Sequence, residues 1–204
     1  MFIGVDVGGT NTDAVLMDGV NLLAKAKLST TPDVTEGIVA ALTEVLAQRP
    51  SDGTVDGVMV GTTHFTNALL ERRQLTPTAV IRLCLPATTL LPPLVDWPGH
   101  LRDAIGGFTY MVPGGHEFDG REISSFDASR VADAANEMLR QGVRAVAISG
   151  VFSPVNPAHE IEAAAVISRV APSLKITLSH ANGRIGLLER ENAAALNACL
   201  GDVA

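Results

Sequence analysis

The chain opens with apolar residues at Phe2, Ile3, Val5 and Val7, interrupted by a carboxylate at Asp6. Such a β-branched and aromatic run predicts a strand over 2–7. Apolar character resumes after Asp13 and predicts a second strand over 12–17. Asp18-Gly19 is a tight-turn pair, and 22–28 reads as a third strand, so the first segment is a β-meander. The period then changes. In "TTPDVTEGIVAALTEVL", Val34, Ile38, Leu42 and Val45 share one helical face, with Thr31 placed to cap the helix and Pro32 suited to its first position.

"DGVMVGTTHFTNALLERR" follows as a short apolar strand, a Gly-Thr-Thr corner and a helix. Further strands are predicted at 79–83, 144–149 and 174–179. Helices are predicted over 128–141, in "NPAHEIEAAAVISRV" with Asn156 as cap and Pro157 in the first turn, and in "LLERENAAALNACL". Strands alternating with helices after an antiparallel start predict an α/β architecture with a mixed sheet. Residues 84–126 break the pattern. Pro86, Pro92, Pro93, Pro98 and Pro113 stand there among six glycines, which predicts an irregular insertion or lobe edge. No fixed-period repeat is present.

With 204 residues, the chain has room for one domain with a sizeable core or for two small lobes. It is 47% hydrophobic and 18% charged, a balance that fits a globular protein and argues against disorder. A net charge of −7 disfavours nucleic acid and anionic membranes as partners, although backbone N–H groups could still bind a phosphate locally. Cys84 and Cys199 are too few for a disulfide framework or a cysteine metal site. No basic-then-apolar leader and no apolar run long enough to span a bilayer is present, so a cytoplasmic protein with free thiols is expected.

The chemistry concentrates in "DVGGTNTD". Burial of Asp6 among its apolar neighbours at the strand end is expected, and a buried unpaired carboxylate is costly, so it needs a cation, donors or water there. Gly8 and Gly9 permit unusual backbone angles and let a phosphate approach, while Thr10, Asn11 and Thr12 add donors. Asp6 and Asp13 could hold a divalent cation directly or through water, as magnesium requires. The loop is not a Walker A motif, because it lacks the Gly-Lys-Ser/Thr ending and runs into a strand. An ordinary glycine turn would explain Gly8 and Gly9 but would leave two acids and three donors as coincidence. In "GTTHFTNALL", Gly61 ends a strand and Thr62 or Thr63 would cap a helix whose N–H groups suit an anion or carbonyl. None of the five histidines has metal-ligand spacing. "GGHEFDGRE", with His116, Glu117, Asp119, Arg121 and Glu122, reads as a solvated turn in preference to a substrate loop. Arg184, Glu189 and Arg190 read as surface ion pairs.

"IGVDVGGTNTDAVLMDG" resembles the first phosphate loop of the actin-like ATPase and sugar-kinase superfamily. Taken with "VGTTHFTNALLER", "VNPAHE" and "LLERENAAALNA" in that order, the chain resembles the N-terminal region of the hydantoinase/oxoprolinase family over nearly its whole length. The resemblance implies an actin-like ATPase (ribonuclease H-like) half-domain spanning 1–204, meeting ATP and magnesium through Asp6, Gly8, Gly9, Thr10 and their neighbours. In that scheme Asp6 holds magnesium through water, and residues 8–12, Asn11 and Thr12 included, position phosphate. Asp13 is a ligand or supports one, and Gly61, Thr62 and Thr63 contact phosphate or substrate. Asn11 stands where many members carry an aromatic residue. The implied chemistry is phosphoryl activation of a cyclic amide or carbonyl oxygen, followed by hydrolysis or carboxylation. The family chain normally continues into a second half with another phosphate loop and the adenosine pocket, and a second hydantoinase subunit is an expected partner. Homo-oligomerisation stays open. The competing readings are an acetone-type carboxylase subunit, a sugar-kinase-like phosphotransferase and a non-catalytic nucleotide-sensing module.

Overall fold

The computed structural model describes residues 1–31, 33–50 and 53–203, with the side chain of His64 outside the description. The chain divides into two compact units, Met1–Glu71 and Arg72–Ala204.

The first unit begins with the expected meander. β1 (Phe2–Val7), β2 (Asn11–Asp18) and β3 (Asn21–Ser29) pair antiparallel in sequence order. Gly19 takes φ +57° in the β2–β3 turn, the left-handed conformation for which Asp-Gly is suited. α1 (Val34–Ala47) then crosses to β4 (Gly57–Thr62), which pairs parallel with β1 and completes the order β3-β2-β1-β4. α2 (His64–Glu71) follows. Ile3, Val5, Val7, Ala14, Leu16, Ala24 and Ala26 form a core with Ala41 and Val45 of α1.

Three details of this unit differ from expectation. Asp33, not Thr31, caps α1, its carboxylate accepting from the amides of Thr35 and Glu36 at 2.8 and 3.3 Å. Pro32 lies outside the described residues. The deepest residues of α1 are Gly37, Ala41 and Val45, while Val34, Ile38 and Leu42 are partly buried at the rim. Small residues let the helix approach the strands, so the larger aliphatics lie to the sides. β4 is apolar but exposed: Val58, Met59 and Val60 retain 48, 63 and 53% of their surface.

In the second unit a parallel sheet has the order β6-β5-β7-β8, from β5 (Thr78–Leu85), β6 (Phe108–Pro113), β7 (Ala145–Gly150) and β8 (Lys175–Leu178). Strands with both faces covered need continuous apolar runs. β5 and β7 are apolar but for Thr78, Arg82 and Ser149, and are buried almost throughout. Ala79, Ile81, Leu83, Val146 and Ile148 pack with α4 (Ala128–Arg140) and α5 (Ala158–Val170). α7 (Leu187–Cys199) covers the central strands with Ala194, Ala195 and Ala198 buried. A short α6 (Ser179–Asn182) precedes it.

The strand arrangement is therefore two sheets, one mixed and one parallel. Segment 84–126 also holds more regular structure than its proline and glycine content predicts. It carries α3 (Gly99–Ala104) and the edge strand β6. Glycines at positive φ flank that strand, Gly106 and Gly107 before it and Gly114 and Gly115 after it.

Candidate functional site

The strand pairing of the first unit sets the geometry. Asp6 lies directly across from Asp13 on β2 and beside Gly61 on β4, and Asp13 lies across from Lys27 on β3. Lys27, Asp13, Asp6 and Gly61 thus form one row across all four strands. Because strand side chains alternate, this row faces away from the core that holds Val5 and Val7. Asp6 is accordingly exposed, which corrects the expectation of a buried strand-end carboxylate. Solvent removes the burial penalty but leaves another: like charges directly opposite on paired strands repel. Lys27 offsets half of this, its ammonium 3.3 Å from Asp13. Asp6 has no cationic partner among the described residues. A Cβ at position 61 would come within 3.9 Å of its carboxylate, so Gly61 keeps that side open.

The turn above the row is held by its backbone. Gly8 N–H donates to the Asn11 carbonyl at 2.9 Å. Neither Gly8 nor Gly9 occupies the left-handed region, so space, not backbone angle, is the reason for glycine here. A Cβ on Gly8 would sit 3.2 Å from the Asn11 carbonyl oxygen, and one on Gly9 would sit 3.5 Å from the Asn67 side-chain nitrogen. Asn67 of α2 therefore reaches the first loop.

The hydroxyl residues divide by direction. Thr10 is exposed, and its hydroxyl accepts from the Asn11 side chain at 3.4 Å. Thr12 is fully buried, 3.3 Å from the Thr30 hydroxyl and beside Gly37 of α1. Its side chain braces the interior, so the expectation that it donates to phosphate is corrected. Thr30, unremarked in the sequence, donates to the Gly8 carbonyl at 2.9 Å and fixes the turn to the end of β3. Its only sequence signal is a hydroxyl just past a strand that pairs with the loop-bearing strand. Thr62 donates to the Val7 carbonyl at 3.0 Å, tying the ends of β4 and β1 together. Thr63 donates its N–H to the same carbonyl at 3.3 Å, and its own carbonyl accepts the Asn67 N–H. The ends of β1 and β4, the glycine turn and the start of α2 thus meet at one place.

No group of three or more His, Cys, Asp or Glu side chains among the described residues could hold a metal ion. An all-protein cage is therefore not what the row offers. One free carboxylate beside a second suits magnesium, which keeps several waters and binds through one or two carboxylates and phosphate oxygens.

The motifs of the second unit have a different task. The Glu160 carboxylate accepts from the Gly150 amide, the Ser179 hydroxyl and the His180 amide at 2.9, 2.6 and 3.1 Å. Arg190 is 1% exposed and donates to the Ser179 hydroxyl and to the carbonyls of Gly150, Arg184, Ile185 and Gly186. It is thus a buried organising residue, which corrects its reading as a surface charge. Glu191 takes two hydrogen bonds from the buried Arg82 and a third from Ser149. Glu160 and Glu191 were not singled out in the sequence. Asn156 accepts the Ala158 N–H at 3.1 Å from just ahead of α5, whose cap position is taken by Pro157, one residue later than expected.

A meander, a covering helix and a returning parallel strand, with a glycine turn and paired carboxylates at one end, define an α/β protein of the actin-like ATPase type. The family model "Hydantoinase/oxoprolinase N-terminal region" matches residues 2–171, and the chain belongs to this family. It is 30% identical to the caprolactamase subunit alpha of Pseudomonas jessenii, over 87% of this chain and 28% of that one. The crystal structure of the ATP-dependent caprolactamase from the same organism superposes with a TM-score of 0.69 at 26% identity, covering 100% of this chain and 32% of that one. A nucleotide-free structure of acetone carboxylase, described as an enzyme of ATP-dependent acetone carboxylation, gives a TM-score of 0.76 at 19% identity, covering 98% and 32% respectively. The chain thus spans about a third or less of the length of these relatives.

Proposed function

We propose that this chain is the N-terminal nucleotide-binding part of an ATP-dependent enzyme that activates a cyclic amide by phosphoryl transfer for hydrolysis. The observation carrying this reading is the row Lys27–Asp13–Asp6–Gly61, with its unpartnered Asp6 carboxylate directly below the glycine turn. Similarity to an ATP-dependent caprolactamase supports both the nucleotide and the cyclic-amide class.

Each residue has a definable part. Asp6 would hold magnesium through coordinated water, with Asp13 behind it, restrained by Lys27. The backbone of Gly8, Gly9, Thr10 and Asn11 would line the phosphate path, and Asn67 would donate from the α2 side. Gly61 and Thr63 would border the same space, while Thr12, Thr30 and Thr62 fix the frame. Magnesium, when bound, supplies neutralisation of charge on the transferring phosphoryl group. Phosphorylation of the amide oxygen turns a poor leaving group into phosphate. The adenosine pocket, further phosphate contacts and a second subunit would come from the rest of a longer assembly in the cytoplasm.

The test is calorimetric titration of this chain with ATP, with and without magnesium, beside phosphate release from the full-length enzyme. Magnesium-dependent binding that Asp6→Asn abolishes is expected, together with loss of turnover in the full-length variant. Unchanged binding and unchanged metal dependence in Asp6→Asn would remove the row from the mechanism.

A further inference from the structure

The parallel sheet of the second unit reverses its order between β5 and β7, and in open α/β sheets ligands sit beyond the strand ends at such a point. Here that place is covered by the chain's own "GGHEFDGREI", residues 114–123. The His116 amide donates to the Val151 carbonyl at 3.0 Å, and the Ile123 amide closes the loop on the Gly115 carbonyl at 3.0 Å. Gly115, at φ +85°, crosses so close that a Cβ would lie 2.6 Å from the Leu83 carbonyl oxygen and 3.2 Å from Val151.

The Gly115 amide donates to an imidazole nitrogen, His159 Nδ1, at 3.0 Å. That bond requires a lone pair on Nδ1, so neutral His159 carries its proton on Nε2, which faces Glu122 at 3.5 Å. Glu122 in turn is bridged across the loop to His116. The His116 ring lies 4.3 Å from the His159 ring, is 2% exposed, and has no hydrogen-bond partner among the described residues.

We propose that residues 114–123 are a proton-released strap, closed while His116 is neutral and opened by its protonation, which uncovers the carboxyl ends of β5 and β7. A proton on His116 would place an unpaired charge in a nearly dry position against the neighbouring ring. The groups facing His116 are Glu122 on the strap and His159 and Glu162 on α5. Burial, reinforced by His159, holds His116 below the ordinary histidine range, with the two glutamates pulling the other way. The closed state is therefore favoured above that range and lost as pH falls through it.

Hydrogen–deuterium exchange of the 204-residue chain at about pH 7.5 and about pH 5.5, corrected for intrinsic exchange rates, tests this. Protection of the Gly115 and His116 amides should fall roughly tenfold or more, while α4 and β7 amides stay protected. His116→Asn, which removes the titrating ring, should keep the strap protected at both values. Should that variant not fold, the ring resonances of His116 in the unmodified chain serve instead: loss of protection must track their titration. Protection independent of pH, an equal loss in His116→Asn, a loss that does not track the His116 ring, or simultaneous loss across α4 and β7 would each overturn the strap.

Discussion

At Asp6 a single carboxylate is exposed, faces a second carboxylate across the strand pair, and has its neighbouring position reduced to glycine. Such an arrangement contributes nothing to folding, since like charges opposite one another destabilise a sheet. Asp6→Asn should leave the melting temperature unchanged or slightly raised, while magnesium-dependent turnover of the full-length enzyme falls about a hundredfold or more. Thermal melts and phosphate-release assays on the same preparation separate the two effects. Thr30 predicts the opposite pattern. Its hydroxyl holds the Gly8 carbonyl and touches Thr12, so Thr30→Val should cost about 1 kcal/mol of stability and weaken nucleotide binding only through the turn. Denaturant titration of the variant checks the stability effect.

Among the elements, α7 is tied to the sheet by charge as well as by its alanine face. Arg82 of β5 and Glu191 of α7 are both fully buried, and Ser149 of β7 completes the carboxylate's set. Removing one member leaves its partner charged without compensation, which costs about 3–5 kcal/mol. Glu191→Gln should therefore lower the unfolding free energy of the second unit by that amount. Trp97, the sole tryptophan, donates to Asn192 of α7 and reports the change by fluorescence. The thiols offer a pH prediction at the same scale. Both are free and buried; burial pushes Cys199 up to about 11 and raises Cys84 as well. Because the unfolded chain ionises first as pH rises, stability should decline between the ordinary thiol range and about 11. Both thiols should also stay unreactive to a thiol reagent near neutrality until the chain is unfolded. Rapid labelling of the native chain would contradict this.

On the scale of the whole chain, the core of each unit is formed from its own elements, so the 204 residues should fold. Under the proposed function, catalysis needs charge stabilisation and positioning from several directions, of which the turn and its carboxylates would supply one side. ATP turnover by this chain should therefore be negligible beside that of a full-length enzyme, and comparable turnover would overturn the half-site reading. Phe2, Val58, Met59 and Val60 are exposed, three of them along edge strand β4. Exposed apolar edges pair with other chains. Sedimentation should show concentration-dependent self-association that Val60→Lys weakens.

Much of this protein was legible in its sequence, because the patterns concerned are local. Alternation in 2–7, the Asp-Gly turn, the helical period after residue 33 and the mostly apolar runs of β5 and β7 each report a face to be buried. The glycine turn with its acids marked the candidate site for the same reason. What tertiary structure alone decided was direction and pairing. Strand register placed Asp6 outward against Asp13 and turned Thr12 inward to Thr30. Long-range closure buried Arg82 with Glu191, 109 residues apart, and set Arg190 among carbonyls and a serine hydroxyl instead of in water. It also drew β6 from a proline- and glycine-rich segment, where pairing with β5 outweighs weak local preference. A charged side chain carries no sequence mark of whether it will be solvated or satisfied by distant groups, because that depends on which strands and helices converge around it.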